Sequence, residues 1–253
     1  MSDWLELERE LDCWPHSGRP ATFWWRDDDA DSESESYTRL LDISESYALP
    51  LGLAVVPATM TPGFVKRLSG LGERVEVLQH GFAHRNHAAR NEKKTEFGEH
   101  RSLDVMRDEI IKGAKLLRAA AGERFLAVFV PPWNRIAPAV TRVLPELGFV
   151  GVSAFGRRPC GESVPGLRQA NTHVDLIDWK AAGRGFRGER KVLADMIAHL
   201  RDRRDGDADE ATGVLTHHRV HDQGCWRFLE RLFDLTRRRA EVRWIGPNEA
   251  LAD

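Results

Sequence analysis

The chain has 253 residues, 42% of them hydrophobic, and 37 Lys and Arg stand against 39 Asp and Glu for a formal net charge of −2. That length supplies a sizeable core and fits a barrel of strands and helices, while the balanced charge argues against any global attraction for nucleic acid or an anionic membrane. The three cysteines, Cys13, Cys160 and Cys225, are far apart and odd in number. They argue against a disulfide framework and a cysteine zinc site, and for a reducing cytoplasm.

The first residues, Met1 to Glu8, are acidic and amphipathic with no basic and then apolar run, so no signal peptide is expected. No apolar run approaches bilayer length, so no membrane association is expected either. Residues 3–13 read as a short helix stopped by Pro15 and Gly18. The run 21–26 is β-prone and ends abruptly at Asp27-Asp28-Asp29. Three adjacent acids repel one another unless a positive charge sits among them.

A helix over 37–47 follows, then a continuous apolar strand over 51–57 of the kind buried on both faces. A short helix at 62–71 leads to a strand at 75–78 and into Gln79-His80-Gly81-Phe82-Ala83-His84-Arg85-Asn86-His87. If the chain turns helical after Gln79, His80, His84 and His87 share one face. Neutral imidazoles are the commonest zinc ligands, and an H-x-x-x-H pair presents two of them to one ion.

Residues 91–98 are polar loop, and 101–121 carry Leu103, Met106, Ile110, Ala114 and Leu117 at helical spacing, closed by Gly122. Another buried strand, 125–130, stops at Pro131-Pro132-Trp133-Asn134-Arg135. A helix at 137–147, a strand at 149–153, a Gly/Pro/Arg-rich loop at 156–171 and a short strand at 174–179 come next. After a glycine-rich connection, a helix at 189–203 and an acidic turn at 205–210 precede the strand 213–218, which ends in His217-His218. The last long helix is 225–239, and the final strand is 242–245.

Strand and helix alternate through the whole chain, the pattern of parallel β/α units, and no linker divides residues 1–253. In such folds the chemistry collects at the C-terminal ends of the strands. Every polar cluster sits at one: Asp27–Asp29, His80–His87, Trp133–Arg135, Asp175–Trp179 and His217-His218.

In this order, the clusters resemble the motifs of the polysaccharide deacetylase (NodB-homology) family of carbohydrate esterases. Arg26-Asp27-Asp28-Asp29-Ala30 resembles its paired aspartates, and His80-Gly81-Phe82-Ala83-His84 its histidine pair. Val130-Pro131-Pro132-Trp133-Asn134 is similar to its third motif. Asp175-Leu176-Ile177-Asp178-Trp179 resembles its fourth and Leu215-Thr216-His217 its fifth, so the resemblance spans about residues 21–248. It implies a distorted (β/α) barrel of about seven parallel strands, and hydrolytic removal of an acetyl or acyl group from an N-acetylated sugar or related small molecule.

The resemblance also implies a divalent metal, zinc foremost with cobalt, manganese or nickel as alternatives, held by Asp29, His80 and His84. Asp28 is then the general base, His217 the general acid, the Trp133 N–H an oxyanion donor, and Asp178 the support of the histidine. One aspartate plus two histidines leaves open coordination positions, as a catalytic metal requires. Adjacent residues on a regular strand face opposite ways, so Asp28 and Asp29 serve one site only if the backbone turns there.

Two features depart from the family pattern. Three aspartates stand where two are needed, leaving Asp27-Asp28 as the other register. The third motif lacks its arginine, whose charge Arg26 or Arg135 would have to supply. His87 and His218 are extra histidines. Competing functions are hydrolysis of another C–N bond, such as a cyclic amide or ureide, and a non-catalytic carbohydrate-binding relative.

Overall fold

The computed structural model describes residues 3–206 and 210–252. The strands are β1 (Ala21–Ala30), β2 (Leu51–Val55), β3 (Val75–His80), β4 (Phe125–Val130), β5 (Gly151–Val152), β6 (Glu162–Val164), β7 (Leu167–Gln169), β8 (Val174–Asp175), β9 (Thr212–Thr216) and β10 (Val242–Ile245). The helices are α1 (Asp3–Asp12), α2 (Glu35–Tyr47), α3 (Pro62–Leu68), α4 (Leu103–Ala121), α5 (Pro138–Val143), α6 (Glu189–Asp205), α7 (Gln223–Thr236) and α8 (Pro247–Ala250). Side chains cap the starts of several of them: Ser34, Thr61, Ser102 and Asp222 each accept a backbone N–H of the first turn, which satisfies a donor the helix cannot.

Parallel pairing runs in the order β5-β4-β3-β2-β1-β9-β8. Residues 167–175 close this sheet. They pair with β5 through Gly151–Arg168 and Val152–Gln169, bridge Phe155 to Thr172, and cross to β9 through Val174–Val214. One extended segment therefore serves as the last stave of a distorted (β/α) barrel. β6 adds an antiparallel edge to β7, and β10 pairs with the first residues of β1.

Strand alternation divides the side chains between the barrel interior and an outer core under the helices, beside which a third cluster gathers around Phe129 and Val152. Trp24, Ala54, Leu78, Val128 and Val130 form the barrel interior, plugged by Ile245, Ala250 and Leu251. Phe23, Trp25, Leu53, Val77 and Val214 belong to the other core, with Leu40, Leu193, Leu229 and Phe233 of the helices. The register pairs Trp24 with Gly213, Arg26 with both Leu215 and Gly52, and His80 with Val130. Arg26, Asp28, His80 and His217 thus fall on the inward side, at increasing height towards the C-terminal mouth.

Four expected elements differ. No helix follows Gln79: Gly81 is left-handed at φ 57, and the buried carboxylate of Glu96 accepts the N–H groups of Phe82, Ala83 and Arg85. The loop expected at 156–171 contains β6 and β7, a short antiparallel hairpin whose second strand also pairs with β5. The helix at 137–147 ends at Val143 and tightens into a 3₁₀ turn, Pro145–Leu147, because Pro145 has no N–H to continue it. The strand at 174–179 ends at Asp175, whose Oδ1 accepts the Ile177 N–H and turns the chain. The acidic turn at 205–210 lies partly outside the described residues. No helix among the described residues is long and apolar enough to cross a membrane.

Candidate active site

A cleft of about 810 Å³ opens at the C-terminal mouth, lined among others by Asp28, Asp29, His80, His84, Trp133, Asn134, Asp175 and His217. At its floor a break in the β1–β2 register falls between Asp27 and Ala30, and Asp29 takes φ 70. This left-handed residue is the turn that lets two consecutive aspartates face one cleft. Asp29 Oδ1 lies 3.0 Å from His80 Nε2 and 3.2 Å from His84 Nε2. His84 is itself left-handed, at φ 52, so its ring is brought round by loop geometry and not by a helix face.

The protonation pattern shows what this group fits. His80 Nδ1 lies 3.0 Å from the Val130 carbonyl oxygen, which only accepts. Nδ1 therefore carries a proton, and the neutral ring turns its Nε2 lone pair on Asp29, which His84 Nε2 also approaches. Such a convergence of lone pairs needs a cation or an extra proton between them, and a carbonyl-anchored histidine is how metal ligands are held. In the protein alone, burial raises the Asp29 carboxyl, but hydrogen bonds with His80 and His84 outweigh this and hold it far below the usual range. Burial likewise disfavours the His80 imidazolium, yet the charges of Asp28 and Asp29 raise its pKa overall.

Asp28 is held by Arg26, two residues back on the same face of β1. The guanidinium donates from Nε to Oδ1 at 2.8 Å and from Nη2 to Oδ2 at 2.9 Å. It also reaches Ser153 Oγ, the Ala154 carbonyl and Asn134 Oδ1, and it is fully buried. Arg26 thus stands beside Asp28, whereas Arg135 lies at the cleft rim and donates to the Lys94 carbonyl. His217 Nε2 comes within 4.0 Å of Asp28 Oδ2, and its ring meets Trp179 edge-on at 4.6 Å.

Asp27 points away from the cleft. Its carboxylate accepts Thr216 Oγ1 at 2.7 Å and the His218 backbone N–H at 2.9 Å, and it pairs with the His218 ring. Burial raises this carboxyl, but His218 outweighs the burial and lowers it. Asp178 is also outside the cleft lining; its Oδ1 accepts the N–H groups of Lys180 and Ala181. The carboxylate that reaches the cleft from this segment is Asp175, whose Oδ2 accepts Trp179 Nε1 at 2.7 Å. Burial raises the Asp175 pKa against the opposing charge of His217. His87 is not in the lining either, and burial together with Arg101 lowers its pKa.

Glu96, Asn134 and Asp175 have no expected site role from sequence. The local sequence around Glu96 carries no periodicity, so nothing short of the fold shows that it organises the histidine loop. A second trio of donors, His173, His199 and Glu210, clusters elsewhere. It does not fit a metal. His173 Nδ1 accepts the Gly213 N–H at 3.0 Å, so in the neutral ring Nε2 carries the proton and faces Glu210 at 3.3 Å.

No protein-family model and no curated protein matches the chain by sequence. Among solved structures, its fold is that of the polysaccharide deacetylases and CE4 family esterases; a putative polysaccharide deacetylase from Mycobacterium smegmatis is 16% identical at TM-score 0.65, over 92% of this chain and 90% of that one. The Bc1960 peptidoglycan N-acetylglucosamine deacetylase is 18% identical at TM-score 0.57, over 91% of this chain and 88% of that one. A family 4 acetyl xylan esterase from Clostridium thermocellum, in complex with a cobalt ion, is 13% identical at TM-score 0.53, over 91% and 90%. A CE4 family pseudoenzyme from Bacillus anthracis is 18% identical at TM-score 0.56, over 93% and 66%.

Proposed function

We propose that the protein is a metal-dependent amide hydrolase that removes an acetyl or acyl group from an N-acetylated sugar or related small molecule. The observation that carries this reading is the convergence of Asp29, His80 and His84 on one point, flanked by the Arg26-held Asp28 and by His217. Asp29, His80 and His84 would hold a divalent ion, zinc foremost, whose chemistry is to polarise the acyl carbonyl and acidify a water. Asp28 takes a proton from the attacking water, and Arg26 keeps the carboxylate oriented for it. His217, at the end of β9 beside β1, gives a proton to the nitrogen as the C–N bond breaks. The products are a carboxylate and a free amine. The Trp133 N–H, on a left-handed turn at φ 56, would donate to the developing oxyanion. Asp175 braces Trp179, which packs against His217.

The test is metal analysis of the purified protein together with acetate release from a panel of N-acetylated sugars. One equivalent of metal is expected, lost in His84→Ala, with chelation abolishing turnover. Full metal retention in His84→Ala would sink the ligand assignment. Metal binding with no amide hydrolysed would put the chain with the pseudoenzymes of its fold.

A further inference from the structure

The two sides of the cleft are built alike. On one, the His84 ring lies 4.4 Å from Trp133, and Lys94 Nζ sits 6.0 Å over that indole. On the other, the His217 ring lies 4.6 Å from Trp179, and Arg184 Cζ sits 5.9 Å over that indole. Each cation is thus one aromatic ring away from a histidine of the site. Arg135 adds a third, linked to Lys94 by its hydrogen bond to the Lys94 carbonyl. All three line the cleft. Among the described residues none of them pairs with a carboxylate, whereas Arg107, Arg187 and Arg219 each hold one.

The acids of the same cleft are already engaged. Asp28 is taken by Arg26, Asp29 by two histidines, and Asp175 by the Ile177 N–H and the Trp179 indole. The rim therefore carries uncompensated positive charge around two indoles, Trp179 exposed and Trp133 half-buried. Aromatic faces of this kind stack on sugar rings, while free cations at a cleft mouth select and steer anions.

We propose that the substrate carries an oxyanion substituent, a phosphate or a carboxylate, about one sugar ring away from the acyl amide. This rests on the hydrolase reading above and names the substrate class of the same site. Lys94 and Arg184 are then specificity-determining residues, one for each side of the cleft.

The test uses product amines, so that it does not depend on turnover. Metal-loaded protein is titrated calorimetrically with glucosamine, with glucosamine phosphorylated on its primary hydroxyl, and with glucosaminuronic acid. At least one acidic sugar should bind about tenfold or more tighter than glucosamine at low salt, with the advantage shrinking as salt rises. Whichever acid binds tighter identifies phosphate or carboxylate as the group read. In Lys94→Gln/Arg184→Gln, with metal content unchanged, the ratio should collapse towards one. Equal binding of all three sugars, binding of none, or a ratio that survives the double substitution would overturn the proposal. Acetate release from the N-acetylated forms is followed in parallel. Acidic sugars that bind but are never deacetylated would sink the hydrolase reading and leave this one standing; deacetylation with no preference for acid would do the reverse.

Discussion

At the residue scale the site depends on which way each of three consecutive aspartates points. Asp27 is buried against His218, Asp28 is chelated by Arg26, and Asp29 meets His80 and His84. On the proposed roles, Asp28→Asn should keep the metal and lower turnover by roughly 100-fold or more, since it would remove the base without removing a ligand. Asp29→Asn should lose metal affinity. Asp27→Asn should do neither and instead lower the unfolding midpoint in urea. If Asp27→Asn shows the base phenotype, the other register holds. Arg26→Met leaves Asp28 as a buried charge without its partner and should cost about 3–5 kcal/mol of stability. Adding Asp28→Asn should recover part of that loss, and a strictly additive double mutant would show that the pair is not coupled.

At the scale of elements, the loop after β3 decides whether a second histidine reaches Asp29. Its conformation is tied to Glu96, which receives three backbone N–H groups of the loop. Gly81 is required there: a Cβ would come within 2.2 Å of Glu96 Oε2 and 2.5 Å of Pro132 Cγ. Glu96→Gln keeps the shape but replaces one acceptor oxygen with a donor. Zinc affinity, measured by competition with a chelator, should fall by about 10–100-fold while the ligand set stays intact. Unchanged affinity would mean that the loop holds His84 without this carboxylate.

For the whole molecule, buried histidines set the response to acid. Burial lowers His173 and His221 to about 4 from an ordinary 6.5. Burial raises Glu210, but hydrogen bonds with His173 and His199 outweigh it and lower the carboxyl to about 2. A histidine with a depressed folded pKa contributes stability that is complete above 6.5 and is lost as pH falls towards 4, because the unfolded chain takes the proton first. Glu210 acts in the same direction lower down, its contribution present above its ordinary 4.5 and lost towards 2. His173 and His221 should therefore lower the urea midpoint of the metal-free protein between pH 7 and pH 5, against the opposite contribution of His80, whose raised pKa adds stability on acidification, and His173→Gln should flatten that slope. An identical slope in wild type and variant would remove His173 from the acid response.

The sequence by itself determined the alternation of β and α elements and the placing of polar clusters at strand ends. Those features are local: a run such as Leu51–Val55 or the spacing of Met106, Ile110 and Leu117 carries its own periodicity. Arg26 was visible as one of two candidates beside Asp28, and only the pairing of β1 with β2 and β9 placed it within reach while leaving Arg135 at the rim. Barrel closure by residues 167–175 was not legible, since its partners are Gly151 and Val214 and no short segment encodes them. The same holds for Glu96, for Asp175 and not Asp178 lining the cleft, and for the backbone turn at Asp29. Each is decided by contacts between residues distant in sequence, and tertiary packing overrides local pattern wherever a buried polar group must find its partner.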